Sequence, residues 1–361
     1  MIDFFVKGGQ IMKKLFKILG LAIGCILAAA LLLVAYLSIT EFKPEAIEPA
    51  AIEHIHESES LKAGSELDIL IWNIGYSGLG KDSDFFMDGG ENVKSADKAT
   101  VERNLDAMAN KVKNLQPDIL MLQEVDIDSS RSYGIDQRKS FAFGESSHAL
   151  NYACDFVPFP LPPIGKVYSG VMNSSVYEVS AAERHALPCP FSWPVSAANL
   201  KRCLLVNYLP IEGSDKQLVM INLHLEAYDD GEGKIAQTNQ LRELMLKEYG
   251  KGNYVIAGGD FNQSFPNALD AYPNTHPELW TPGILDNSLL PEGWSYAYDL
   301  ETPSCRLLNK PYDPADTKNT QHYVIDGFIL SPNVELKSVE TLDLGFEFSD
   351  HNPVNLKAVL N

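Results

Sequence analysis

Asn73, Glu124, His224, Asp260 and Asn262 each close or follow a run of apolar residues with strand character. The runs are Leu70-Ile71-Trp72 before Asn73, Ile119-Leu120-Met121-Leu122 before Gln123-Glu124, and Tyr254-Val255-Ile256-Ala257 before Gly258-Gly259-Asp260-Phe261-Asn262. Strand ends often line a common face, so five of them can form one polar cluster. Asp326 lies inside the apolar run Tyr323 to Leu330, and Asp350-His351 begins the last strand. A carboxylate among apolar strand residues is costly unless paired, and His351 is its natural partner if the two strands are neighbours. Carboxylates bind hard cations through oxygen and, with histidines, move protons. Each residue alone has a plainer reading. Glu124 suits a surface strand end, Asp260-Phe261-Asn262 a turn, His224 between two leucines a core histidine, and Asp350 a turn cap. Their occurrence together and in order separates the two readings.

The elements that must position them alternate between strands and helices. Residues 67–73 and 118–122 read as strands, and between them Asp97, Val101, Leu105, Met108, Val112 and Leu115 have helical spacing, stopped by Gln116-Pro117. Residues 203–209 and 217–225 read as neighbouring strands, 234–249 as an amphipathic helix, 254–257 and 322–330 as strands, and 335–342 and 353–360 as the last two. Residues 128–168 and 266–320 read as irregular. This pattern predicts an α/β fold, a four-layer sandwich of two packed mixed sheets flanked by helices.

The 361 residues carry 48 acidic and 29 basic side chains, a formal net charge of -19. Grip on long nucleic acid needs Lys and Arg to neutralise phosphates, so this balance argues against a protein that tracks along DNA or RNA. It leaves a small phosphate ester open. The five cysteines lack a C-x-x-C spacing. Cys25 lies in an apolar run, and the other four leave room for up to two disulfides.

That run extends from Leu15 to Ile39, and Ile18 to Leu37 carries no charge. It meets the length of about 20 apolar residues needed to span a bilayer. Lys7, Lys13, Lys14 and Lys17 precede it, predicting a cytoplasmic segment 1–14, a single-pass anchor 15–39 in the cell membrane and an extracytoplasmic C-terminal domain. A cleaved signal or a lipobox at Ala22-Ile23-Gly24-Cys25 is the alternative, but the run continues well past Cys25, which favours a retained anchor. Residues 40–65, rich in Glu, Ala and Pro and holding His54 and His56, read as a polar linker, leaving 66–361 as the catalytic domain.

Six blocks in order resemble the endonuclease/exonuclease/phosphatase superfamily: Ile71-Trp72-Asn73-Ile74, Asp118 to Val125, Asn222-Leu223-His224-Leu225, Gly259-Asp260-Phe261-Asn262, Ile325-Asp326, and Ser349-Asp350-His351-Asn352-Pro353-Val354. That group includes pancreatic-type deoxyribonuclease, apurinic endonucleases, sphingomyelinases and inositol-polyphosphate 5-phosphatases. The resemblance implies a Mg²⁺-dependent phosphoric ester hydrolase, with Mn²⁺ as the alternative ion. It implies Glu124 as the main metal ligand, with Asn73 and Asp350 completing or supporting that site. Asp260 would orient or deprotonate the attacking water, and Asn262 would hold that water or a phosphate oxygen. His351, fixed by Asp326, and His224 would stabilise the phosphoryl transition state. The family places another polar group between Glu124 and His224, for which Tyr168 and Asn173 are candidates here. Arg131, Arg138 and Lys139 are candidates to steer a phosphate.

The superfamily acts on esters of very different size, so fold and metal site do not choose the substrate. The acidic charge, the anchor and the aromatic, Pro-rich stretch Phe156 to Pro163 favour a small phosphodiester or lipid headgroup. Extracellular nucleic acid is the alternative substrate, and a binding protein of the same fold without catalysis the alternative class. No stable protein partner is implied.

Overall fold

The computed structural model describes residues 2–361 except Ser95, Asp230, Thr317 and Lys318, with side chains from Met12 onward. Two seven-stranded sheets pack face to face. In the first the order is 47–49, 181–186, 203–210, 217–224, 254–260, 326–330 and 295–297. In the second it is 334–341, 354–360, 66–73, 119–126, 165–175, 145–157 and 52–54. Each sheet is mixed, with one central parallel pair: 217–224 beside 254–260, and 66–73 beside 119–126. Parallel neighbours need a crossover, and the helices Glu232–Gly250 and Lys98–Leu115 provide them. The second helix starts where Asp97 accepts a hydrogen bond from Thr100 N–H, an N-cap, and ends at Gln116 with φ 52° before Pro117.

Period-two alternation divides the strands between two kinds of core. Leu67, Ile69 and Ile71 pack between the sheets with Leu218, Met220, Ile256, Phe328 and Leu330. Leu70, Trp72, Leu120 and Leu122 face outward beneath Leu105, Met108 and Val112. Val219, Ile221, Leu223, Val255 and Ala257 face outward beneath Leu241 and Met245. Continuing the count, Asn73, His224, Asp260 and Asp326 all fall on inner faces.

The structure differs from the sequence expectations in four places. Residues 128–168 are not irregular throughout, because Glu145–Val157 and Gly165–Ser175 form a long antiparallel pair. The strand expected over 322–330 is broken at Val324-Ile325, and Asp326 starts its second part. The segment 40–65 is not a free linker. Ile47–Pro49 pairs with 183–185, Ile52–His54 pairs with 145–147, and Leu61 is buried between the sheets. All five cysteines are free thiols.

Residues Ile2–Ile39 form one helix, of which Met12–Ile39 is long and apolar enough to cross a membrane. Among its described side chains, those at the C-terminal end pack on the domain. Leu33 and Leu37 pack on Cys154, Val157, Val167 and Ala197.

Candidate active site

Register brings three of the expected residues side by side. Asp260 is the pairing partner of His224 on one neighbour and of Asp326 on the other. Asn73 ends the corresponding parallel strand of the opposite sheet, paired with Gln123. The carboxyl ends of both parallel pairs thus open at the same end of the sandwich, where α/β sheets bind ligands.

Glu124 reaches this end through a backbone irregularity. The pairing of 119–126 with 165–175 shifts register between Leu122 and Val125, and Glu124 has φ 56°. Strict alternation from Leu122 would turn Val125 inward, yet Val125 lies in the outer cluster with Trp72. The bulge absorbs one residue and directs the carboxylate at the cavity, as bulges near sites do. Asn262 also has a left-handed backbone, φ 50°, which asparagine tolerates better than most residues. Gly259 has φ +139°, and a Cβ there would lie 2.1 Å from Leu223 O.

His351 enters from the second sheet, not from a strand beside Asp326. Its partnership with Asp326 spans the sandwich, with Nδ1 2.8 Å from Asp326 Oδ2. An ionised carboxylate only accepts, so Nδ1 donates and Nε2 is left facing Asp260 Oδ2 at 3.8 Å and Asp350 Oδ2 at 3.9 Å. Asp326 is held in turn by Ser304 Oγ at 2.8 Å. Ser304 Oγ accepts from the Ile325 and Asp326 N–H groups. Trp72 Nε1 donates to His351 O, and Ser349 Oγ donates to Asn73 O. These bonds tie the last strand's entrance to the Asn73 strand.

Asn73 Nδ2 donates to Asp260 Oδ2 at 3.0 Å and to Glu124 Oε1 at 3.4 Å, while its Oδ1 accepts from Gly75 N–H. In this geometry Asn73 bridges two carboxylates, and its Oδ1 keeps one lone pair beyond the Gly75 bond. Asp260 Oδ1 accepts from Asn262 N–H at 2.8 Å, and His224 Nε2 lies 3.4 Å from Asp260 Oδ2.

Burial and charge set the protonation states. Burial, with Asp326 adding repulsion, pushes Asp260 up to about 7 despite the opposing pull of His351. Burial, with Glu124 adding repulsion, likewise pushes Asp350 up to about 7. Burial opposes charge on His351, but the acidic groups around it, Asp326 foremost, raise it well above the ordinary histidine range. Burial and the nearby Arg202 hold His224 well below that range. One histidine is therefore a cation and the other neutral at pH 7, an assignment that separated environments make possible.

The donors fit a hard divalent cation. Asp260, Asp326 and Asp350 are all buried, Asp260 and Asp350 line one cavity, and Asp326 Oδ1 has no hydrogen-bond partner. Such an accumulation of acid calls for positive charge. Ligand atoms of Asp260, Asp326 and His351 lie within 4.8 Å of one another, as do those of Cys305, Asp350 and His351. In both groups the His351 Nδ1 is already engaged by Asp326. Burial pushes the Cys305 thiol up to about 12, so it stays protonated and is a poor ligand. The oxygens of Glu124 and Asp350 are the better donors.

Asn73, Glu124, His224, Asp260, Asn262, Asp350 and His351 all line one cavity of about 630 Å³. Arg131 lines it too, bound through two hydrogen bonds to Asp126 and stacked over the Tyr76 ring at 3.8 Å. The other expected substrate residues lie elsewhere. Tyr168 turns outward and donates to Asp155. Asn173 sits behind the site, where its Oδ1 accepts from Asn222 and Asn222 Oδ1 accepts from Gln123. Arg138 pairs with Asp136, and Lys139 is exposed near the same carboxylate. The sequence reading missed Asp88, Tyr228, Arg202 and Arg306, which also line the cavity. Tyr228 donates to Asp88 at 2.9 Å across 140 residues. They stand in segments without a motif, so no local signal marks them.

The profile described as "Endonuclease/Exonuclease/phosphatase family" matches residues 70–351, and members of that family are metal-dependent phosphoester hydrolases. Similar solved structures include an endonuclease/exonuclease/phosphatase from Beutenbergia cavernae (15% identity, 82% of this chain and 72% of that one, TM-score 0.53). A family protein from Leptotrichia buccalis (14%, 81% and 99%, TM-score 0.51) and one from Bacteroides vulgatus (18%, 82% and 100%, TM-score 0.50) are also similar. At these identities the likeness establishes the fold. A search of curated proteins found no match.

Proposed function

We propose that this chain, which belongs to the endonuclease/exonuclease/phosphatase family, hydrolyses phosphate esters with a divalent cation and an activated water. The observation that carries this reading is the convergence of Glu124, Asp260, Asp350 and the two histidines His224 and His351 in one cavity, from two sheets. Glu124 and Asp350 would hold the cation, with Mg²⁺ first and Mn²⁺ as the alternative, and Asn73 fixes Glu124. A bound divalent cation supplies positive charge to a phosphate oxygen and to the departing oxygen.

The chain's own groups do the rest. Asp260 has one oxygen pinned by Asn262 N–H, and with a pKa of about 7 it accepts a proton from water near neutral pH. His351, locked through Nδ1, presents Nε2–H where negative charge gathers on the phosphoryl oxygens. Neutral His224 supplies a second donor, and Asn262 holds the water or a phosphate oxygen. A small phosphodiester or lipid headgroup is favoured over nucleic acid by the net charge of -19. The apolar stretch 15–39 is read as a single-pass membrane anchor, and the basic residues ahead of it support a catalytic domain on the extracytoplasmic side.

The test is hydrolysis by the full chain in detergent, with Mg²⁺, Mn²⁺ or EDTA, beside His351→Ala. The panel is bis-p-nitrophenyl phosphate, sphingomyelin, single- and double-stranded DNA, and a soluble inositol phosphate. Metal-dependent turnover abolished in the variant is expected. A folded protein inactive on every member would favour a binding role, and preference for DNA would favour the nuclease alternative.

A further inference from the structure

The cavity that holds the candidate site continues to the anchor. Leu33, Val34 and Leu37 of the apolar helix line the same space as Glu124, Asp350 and His351. The helix end is fixed there by the apolar packing of Leu33 and Leu37 and by polar ties. Tyr36 Oη donates to Asp155 at 3.2 Å, Trp193 Nε1 to Ser38 Oγ at 2.9 Å, and Lys201 Nζ pairs with Glu41 at 2.9 Å. The rest of the mouth is apolar and open to the outside. Phe159 is 70% exposed and Val195 58%, both lining the cavity, with Leu161 at 84% and Trp193 at 63% beside them. Exposed apolar side chains gathered in one place mark a surface made for an apolar partner.

The level of this mouth follows from the helix. A hydrocarbon core is about 30 Å thick, or roughly 20 helical residues. With the uncharged stretch Ile18–Leu37 in that core, Leu33 lies about one turn inside its outer boundary and Leu37 at that boundary. Trp193 and Tyr36 lie at the same height, where aromatic residues with a polar tip settle. A water-soluble ester would leave this rim uncovered. A lipid would cover it, with its phosphate at the charged floor and its chain over Leu33 and Phe159 into the bilayer.

We propose that the last two turns of the anchor form one wall of a lateral groove, and that the substrate is the phosphate ester of a lipid in the bilayer that holds the anchor. This rests on the phosphoesterase reading and on the anchor spanning a membrane. The groove explains why a helix that could end in a loose tether is instead cemented to the cavity's edge.

The test reconstitutes the full chain in vesicles of phosphatidylcholine, phosphatidylglycerol, sphingomyelin and a polyprenyl phosphate. Release of water-soluble product is compared with turnover of the chain-free headgroup esters and of bis-p-nitrophenyl phosphate. Lipid turnover at least tenfold above that of the chain-free esters is expected. Phe159→Asp should lower the ratio of lipid to bis-p-nitrophenyl phosphate turnover by tenfold or more, and lipid supplied only in separate vesicles should be hydrolysed at least tenfold more slowly. Chain-free esters turned over as fast as lipid, with a ratio unchanged in Phe159→Asp, would overturn the groove and leave the phosphoesterase reading standing. No cation-dependent turnover of any ester would overturn both.

Discussion

Asp326→Asn tests the link that joins the two sheets at the site. The replacement keeps the shape of the side chain and its contact with Ser304, but removes the negative charge 2.8 Å from His351 Nδ1. At that separation two unit charges attract by roughly 6 kcal/mol at an effective dielectric constant of about 20, and burial offsets much of it. Without the carboxylate nothing comparable holds His351 in its charged form. At pH 8 a histidine of ordinary pKa, about 6.5, is charged in roughly 3% of molecules, and burial lowers that share further. The protonation deficit alone is then about 30-fold or more, and loosened ring orientation adds to it. The expected loss in kcat on bis-p-nitrophenyl phosphate at pH 8 is about 10²–10³-fold, measured below the variant's own melting temperature, since loss of one partner of a buried pair also costs stability. The sign of the pH dependence is decisive. His351 has a raised folded pKa, so its charge is present at low pH and lost as pH rises through that pKa. The wild-type to variant ratio should therefore shrink from pH 8 toward pH 5.5, where the variant's histidine regains its proton. The substitution also removes the repulsion that Asp326 exerts on Asp260, so the limb of the pH profile set by Asp260 is fitted separately in each protein. A ratio constant across this range, or a kcat within threefold of wild type, would refute the assigned role of His351.

Asp260 and Asp350 have folded pKa values of about 7, above the unfolded value near 3.9. The cation-free protein should therefore lose stability as pH rises from about 4 through 7, and Mg²⁺ or Mn²⁺ should raise Tm more at pH 8 than at pH 5.5. Equal shifts at both values, or shifts retained in Glu124→Gln, would count against the cation site. Gly259→Ala sets a methyl group against Leu223 O at 2.1 Å and should destabilise by about 3 kcal/mol or more in urea melts; a change under about 1 kcal/mol would show that the backbone there yields. Asn222→Leu strips partners from Leu122 O, Met172 O, Asn173 Oδ1 and Gln123 Nε2, and a loss of about 2–4 kcal/mol is expected by the same melts.

Much of the site was legible because its polar residues close apolar strands, and strand ends often line a common face. Alternation puts Asn73, His224, Asp260 and Asp326 on the same strand faces as Ile71, Met220, Ile256 and Phe328, but these strands are apolar on both faces, so only the packing marks that face as the inner one. Glu124 breaks the count, since its bulge is invisible in the residues; its place after an apolar strand made it a candidate, and the resemblance gave it the metal-ligand role. The strands 145–157 and 165–175 escaped notice because some inner positions are polar. Ser147 Oγ and Asn173 Nδ2 both donate to Asn207 there, so burial is satisfied by hydrogen bonds and not by an apolar pattern. Tyr168 was misplaced because a one-residue change of phase turns a side chain to the other face. The pairing of His351 with Asp326 was foreseen, but as a contact between adjacent strands. Its true path crosses between sheets, which no local pattern encodes.

The short strands 47–49 and 52–54 lie on the outer edges of opposite sheets, separated by only Ala50 and Ala51. Each hides a row of backbone groups that would otherwise be free to pair with another chain. The natural start of the folded unit therefore lies ahead of residue 47, not at 66, where hydropathy and composition draw the boundary. A protein cut at 65 would expose two sticky margins at once and lose the Leu61 plug between them. Its first symptom would be self-association rather than inactivity, seen in light scattering before any assay of turnover.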